Sequence, residues 1–168
     1  VTYSYRDANF LQKMMRASGS IAPISWLYAR TLHRIDPPVF RMTKGRRTFT
    51  GILTGLPMVM LTTTGARSGQ PRTVPLVAVP DAGRLFVVAS NYGQEGNPAW
   101  YHNLVKHPDA TLTINGGAPR AVRAYEAEGA ERERLWALDL EVYPGRASYQ
   151  QRATGRRIPV MVLESVGD

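Results

Sequence analysis

The chain has 168 residues, 43% hydrophobic and 20% charged, the size and balance of one domain with a buried core rather than of a disordered chain. It contains no cysteine, which excludes a disulfide scaffold, a thiol nucleophile, an iron-sulfur centre and every cysteine-based zinc site, so redox work requires a cofactor. The formal charge of +8 is uneven: residues 1–80 carry 11 Lys+Arg against 2 acids and residues 81–168 carry 10 against 11, an N-terminal excess that suits nucleic acid, an anionic membrane surface or a small multiply charged ligand.

In chain order, residues 7–18 and 22–35 read as short helices, the second from Ile24, Leu27, Tyr28, Thr31, Leu32 and Ile35 at three- and four-residue steps until Asp36-Pro37-Pro38 stops the pattern. Their Lys13, Arg16, Arg30 and Arg34, with Trp26 and Tyr28, suit either packing on the domain or lying on anionic lipid. Residues 39–55 form a basic, loop-like run with Arg41, Lys44, Arg46 and Arg47. Six strands are then expected, at 57–63, 72–79, 84–90, 110–114, 119–127 and 158–164, from β-branched or alternating residues bounded by turn chemistry. Pro80-Asp81-Ala82-Gly83 and Asn115-Gly116-Gly117 supply the residues that hairpin turns need. Between the hairpins, Asn97 is expected to cap a helix with Pro98 in its first turn, carrying Trp100, Tyr101, Leu104 and Val105 and ended by His107-Pro108. A last helix at 130–142 places Leu135, Leu138 and Val142 on one side and stops before Pro144-Gly145.

Hairpins dominate over strand-helix-strand alternation, which disfavours a doubly wound parallel fold. A mainly β fold with peripheral helices (α+β) is expected, a small barrel or closed sheet, because closure removes exposed edges. The longest nearly continuous apolar stretch, Leu56 to Leu61, is far short of the ~20 residues that cross a bilayer, and no apolar run with a small-residue cleavage site opens the chain. A soluble, cytoplasmic protein is expected.

His33, His102 and His107 form no H-E-x-x-H, so no metal is expected, and there is no G-x-S-x-G elbow or carboxylate pair of fixed geometry. One segment carries anion chemistry: TTTGARSGQPRTVPL at 62–76, where Gly65 and Gly69 let backbone N–H groups converge, Ser68 donates a hydrogen bond, and Arg67 and Arg72 add charge-assisted ones. The segment matches neither a Walker loop nor a dinucleotide-binding turn, and a tight basic hairpin is the alternative.

That segment, followed by RLFVVASNYG, NPAWYHNLVKHP and VYPGRASYQQRATGRRIPVMVLE, resembles in order and spacing the deazaflavin-dependent nitroreductase family over residues 50–165. The resemblance implies the FMN-binding-like split β-barrel, with coenzyme F420, a deazaflavin bearing a phosphodiester and an oligoglutamate tail, as hydride donor. Two parts are expected: an N-terminal helical segment, 1–40, packed on the barrel or on a membrane surface, and a split β-barrel deazaflavin-binding domain, 41–168. By similarity, Ala66, Arg67, Ser68 and Arg72 hold the coenzyme phosphate, and Thr73, Val74, Pro75, Leu76 and Val77 line the deazaflavin. Val88, Ala89, Ser90 and Asn91 match a second lining strand, and Ala99, Trp100, Tyr101, His102 and Asn103 match a helix start that closes over the rings. Trp100 and Tyr101 suit a plain core equally well.

The resemblance makes no residue an obligatory catalyst. Ser90, Tyr143 and Tyr149 are the candidates, the two tyrosines matching family residues at the substrate mouth. Arg146 between them stands where some relatives carry tyrosine, and either favours an anionic or carbonyl-bearing acceptor or reaches the coenzyme. Ala66 replaces a cation of some relatives, and Val77 stands where a nitroimidazole-reducing relative has tyrosine, which argues against bicyclic nitro substrates. The implied activity is F420H2-dependent reduction of an activated alkene, quinone or nitro acceptor, a small-molecule partner rather than nucleic acid, at the cytoplasmic side or the inner membrane surface. An FMN-dependent split-barrel reductase and a non-catalytic basic module binding anions or lipid are the alternatives, and the sequence sets no oligomeric state.

Overall fold

The structure, a computed structural model, describes residues 9–18, 54–167 and the single positions 21, 31, 42, 43 and 51. All of the expected helix at 22–35 except Thr31, most of the basic run at 39–55 and the division at residue 40 lie outside the described residues.

The N-terminal helix α1 (Phe10–Ser18) begins three residues later than expected because Asn9 caps it. The Asn9 Oδ1 accepts the Gln12 N–H at 2.8 Å and the Gln12 Oε1 accepts the Asn9 N–H at 3.1 Å, a reciprocal box that satisfies two helix-end donors.

All six expected strands form: β1 (Met58–Thr64), β2 (Pro71–Asp81), β3 (Arg84–Val88), β4 (Asp109–Ile114), β5 (Arg120–Glu126) and β6 (Val160–Ser165). Every pairing is antiparallel and the sheet closes in the order β1-β2-β3-β6-β5-β4, with β4 returning to β1. The expected barrel with helices outside is therefore what the chain forms. Helix α2 (Ala99–Lys106) lies between the two hairpins, and α3 (Gly129–Val142) and α4 (Arg146–Arg152) lie between β5 and β6.

Period-two alternation sorts the strand side chains into two cores. Val59, Leu61, Ala78, Val87, Leu112, Val122, Ala124, Met161 and Leu163 come from all six strands and pack in one cluster, the barrel interior, which Trp100 and Leu104 of α2 plug. On the opposite face of β3 and β6, Phe86, Val88, Val160 and Val162 pack with Leu135 and Val142 of α3 and Tyr149 of α4.

Three details differ from expectation. The third strand ends at Val88, so Ala89 and Ser90 belong to the loop that follows it. Asn97 does not cap α2; Pro98 holds that position with no side-chain cap, and the Asn97 Oδ1 accepts a hydrogen bond from Arg156 instead. And α4 was not expected, since Pro144-Gly145 reads as a stop and the helix beyond it has no clear apolar stripe.

Candidate functional site

The two faces of the site come from how β2 is shared. Residues 71–77 pair with β1, and only Ala78–Asp81 pair with β3. Along 71–77 the strand thus keeps an edge that no other strand covers among the described residues, and Pro75, which has no N–H to offer a ladder, sits within it. Val74, Pro75, Leu76 and Val77 are all half-buried, unlike the buried Ala78 and Val79 that follow. An apolar strand with one open edge can receive a flat ligand.

At one end of this edge lies the Gly65–Gln70 loop. Its own backbone bonds are Gly65 N–H to the Gln70 carbonyl at 2.9 Å and Gly69 N–H to the Gly65 carbonyl at 2.8 Å, with the Ser68 Oγ accepting the Gln70 N–H at 3.3 Å. Gly69 has φ +67, a left-handed conformation that glycine adopts without strain, and open space beside it. Asn103 of α2 anchors the loop: its Oδ1 accepts the Ala66 N–H at 2.8 Å and its Nδ2 donates to the Thr63 Oγ1 at 2.9 Å, while Lys106 Nζ donates to the Ala66 carbonyl at 2.6 Å. The Ala66 backbone is therefore fully engaged.

What remains unpartnered among the described residues is the Arg67 and Ser68 N–H groups and the exposed Arg67 and Arg72 guanidinia. The Ser68 hydroxyl, an acceptor inside the loop, keeps its proton for an outside partner. This is a concentrated, preformed set of anion donors.

At the other end lies the turn after β3, Ser90 followed by the 3-10 turn Asn91–Gly93. Asn91 (φ 45), Tyr92 (φ 55) and Gly93 (φ 78) are left-handed in succession, a conformation that costs a non-glycine residue roughly 1–2 kcal/mol and persists only where the surroundings enforce it. Three arginines enforce it. Arg156 donates to the carbonyls of Ser90 at 2.9 Å, Ala89 at 3.2 Å and Gln94 at 3.1 Å. Arg152 donates to the Tyr92 carbonyl at 3.3 Å and stacks over the Tyr149 ring. Arg146 reaches the Val88 carbonyl and the Ser90 Oγ, each at 3.4 Å, and its Nε lies 2.8 Å from Asp139 Oδ2.

Asp139 is fully buried within α3, and burial raises its carboxyl to about 6 against the opposing pull of Arg146. Burial also lowers the pKa of Arg156. Gly93 is obligatory for a second reason: a Cβ there would sit 2.9 Å from the Tyr149 carbonyl oxygen and 3.0 Å from its Cα.

The structure thus divides the expected site residues. Arg67, Ser68, Arg72, Thr73, Ala99 and His102 are exposed, and Ala66, Val74 to Val77, Ser90, Asn91, Tyr101 and Tyr143 are half-buried. Val88, Ala89, Trp100, Asn103, Arg146 and Tyr149 are buried. Trp100 belongs to the barrel core. Arg146, 5% exposed, is turned inward to Asp139 rather than out at a mouth. Tyr149, 2% exposed, lies beneath Tyr143, their hydroxyls 2.8 Å apart, and its ionisation is pushed upward by burial first and then by Tyr143. The Tyr101 hydroxyl donates to Glu126 at 2.7 Å and its pKa is pushed up to about 12, by burial and then by that carboxylate.

Asp139, Arg152, Arg156 and Lys106 were not singled out from the sequence. Asp139 had a signal: it falls between Leu135 and Val142 at four- and three-residue steps, an acid on the apolar stripe of its helix. A separate cavity of about 350 Å³ at the start of α3 is lined by Glu126, Glu128, Arg132 and Arg157, whose opposite charges balance. No cluster of metal-ligating side chains occurs among the described residues.

Comparison with known proteins bears on this geometry. The profile of the F420H(2)-dependent quinone reductase family matches residues 32–165. An F420H(2)-dependent quinone reductase of Mycobacterium tuberculosis is 35% identical over 136 residues, 79% of this chain and 89% of that protein. The solved structure of an F420-H2 dependent reductase is 40% identical with a TM-score of 0.57, covering 64% of this chain and 94% of its own. A second structure, described as a domain-swapped dimer, is 34% identical with a TM-score of 0.61 over 84% of this chain and 99% of its own.

Proposed function

The chain belongs to the F420H(2)-dependent quinone reductase family, and on that premise we propose that the open edge of β2, between the Gly65–Gln70 loop and Ser90, is where it holds reduced F420 and meets a quinone. It is an F420H2-dependent oxidoreductase that reduces small-molecule acceptors such as quinones.

The observation that carries the placement is the unengaged donor set at the loop. Arg67, Arg72 and the Arg67 and Ser68 N–H groups have no partner among the described residues, and they adjoin an apolar strand with a free edge. A coenzyme with a phosphodiester, a carboxylate tail and a flat ring system has the complementary chemistry. The Ala66 backbone, tied to Asn103 and Lys106, shapes the loop rather than contacting the anion.

When bound, reduced F420 supplies the hydride. The protein's own part is binding and orientation. The Arg67 and Arg72 guanidinia and the Ser68 hydroxyl hold the anionic end by charge-assisted bonds, Thr73 to Val77 line the ring, and Trp100 and Leu104 keep water out of the barrel behind it. Ser90, followed in the chain by Asn91, faces the acceptor and donates a hydrogen bond to the oxygen on which negative charge grows, with Tyr143 as a further donor. Tyr149 supports the Tyr143 hydroxyl from below, and Arg146 contacts neither coenzyme nor acceptor.

We also place the protein in the cytoplasm with α1 toward the inner membrane surface, where many quinones dissolve. No described helix is long and apolar enough to cross a membrane, and Phe10, Leu11 and Met14 lie exposed along α1. Sedimentation with anionic vesicles tests this: loss of binding in Phe10→Ser/Leu11→Ser supports it, and no binding by the wild type rejects it.

The reaction is tested by mixing the protein with F420H2 and a panel of quinones, enones and nitroaromatics while following the return of the oxidised chromophore. Turnover fastest with quinones is expected. Saturable binding of FMN with none of F420 would contradict the assignment.

A further inference from the structure

Holding the turn after β3 does not by itself require the Asp139–Arg146 pair to be ionic. Both side chains are removed from water, and replacing a buried ion pair by apolar groups of similar volume is often neutral or stabilising, so packing alone gives no reason to keep it. The side-chain hydroxyl that Arg146 reaches is that of Ser90, at 3.4 Å from Nη1, with the Val88 carbonyl sharing the same nitrogen. The order of contacts runs outward: a carboxylate from α3, a guanidinium from the first residue of α4, a hydroxyl in the turn after β3.

An N–H donated to the Ser90 Oγ occupies an oxygen lone pair, so the hydroxyl proton must point elsewhere. A hydroxyl polarised by a cation on its oxygen is also a stronger donor, and chains of this kind strengthen one another away from water. A quinone that accepts a hydride becomes a hydroquinone monoanion, its charge on oxygen, and a proton from solvent completes the hydroquinone. Ser90 loses no proton in this sequence; it contributes a hydrogen bond that tightens as the charge develops.

We propose that Arg146, fixed in place by Asp139, is a positioning residue that orients the Ser90 hydroxyl toward the acceptor oxygen and strengthens its hydrogen bond in the transition state. The proposal rests on the reading of Ser90 as the group facing the acceptor. It is independent of the anchoring assigned to Arg67 and Arg72.

The test is a double-mutant cycle of Arg146→Lys and Ser90→Ala with F420H2 and saturating menadione, after F420 affinity has been measured for every variant. Each single variant is expected to lose about 10- to 100-fold in kcat with F420 affinity unchanged. The double variant should be no slower than Ser90→Ala alone, because the lysine acts through a hydroxyl that is no longer there. Independent, multiplicative losses overturn the proposal, as does an Arg146→Lys variant with wild-type kcat. If Arg146→Lys does not fold, Asp139→Asn takes its place in the cycle with the same two readings. Failure of the functional assignment looks different, since the wild type would then neither bind F420 nor turn over.

Discussion

Arg67 and Arg72 stand at one end of the β2 edge, exposed and without an ion pair among the described residues, while Arg146, Arg152 and Arg156 at the other end are bonded into the turn after β3. The same side chain performs two tasks. Where guanidinia are engaged by backbone carbonyls or paired with a buried carboxylate, they fix a strained backbone in one shape; where they have neither, their charge is available to a ligand. Removing an arginine from the first group should therefore cost stability, and from the second, binding.

The largest expected effect is at the tied end. Arg146→Ala leaves the Asp139 carboxylate buried without its cation, and folding stability should fall by about 3–5 kcal/mol in a chaotrope titration. A loss below 1 kcal/mol would mean the pair contributes nothing to holding the turn. Next is Gly93→Ala, which combines a left-handed residue with a Cβ pressed on the Tyr149 backbone and should cost about 2–4 kcal/mol. Near-wild-type stability there would show that the turn is not held against α4 as described.

At the free end, Arg67→Ala and Arg72→Ala should each weaken F420 binding about tenfold while moving stability by no more than about 0.5 kcal/mol. Destabilisation comparable to Arg146→Ala would erase the distinction between the two regions.

The tied end also carries a pH dependence. Because burial raises the Asp139 carboxyl from 3.8 to about 6, the folded state holds that proton more tightly than the unfolded chain does. Stability from this group is therefore lost as pH rises from about 4 to about 6 and is flat outside that window. Asp139→Asn lacks the slope, so the stability of the wild type relative to this variant should decline across the same interval; a rising difference would reverse the assignment.

The strands were legible because β-branched alternation and Asn-Gly or Asp-Ala-Gly turns act locally, and all six formed within two residues of the expected bounds. What the sequence could not convey is which polar residues are used up inside the fold. Asn103 lies within a resemblance to a cofactor-closing helix, yet its amide is divided between Ala66 and Thr63 across 37 and 40 residues of chain. Arg146 reads from the sequence as a cation at the substrate mouth or on the coenzyme, and only the fold brings the Asp139 carboxylate of α3 against it. The segment R-A-S-Y-Q-Q-R has too few apolar positions to read as a helix, and its stability comes from Tyr149 and the neighbouring Ala153 packing under β3 and β6. Pairings over such distances are tertiary, and no local pattern records them.

The central claim is the location of the coenzyme, and amide hydrogen exchange with and without F420 tests it most directly. Protection is predicted at Arg67 and Ser68 and among the amides of Thr73, Val74, Leu76 and Val77, with little change in β5 and α3. Protection confined to the cavity by Arg132 and Arg157, with the Gly65–Gln70 loop exchanging as before, would contradict it.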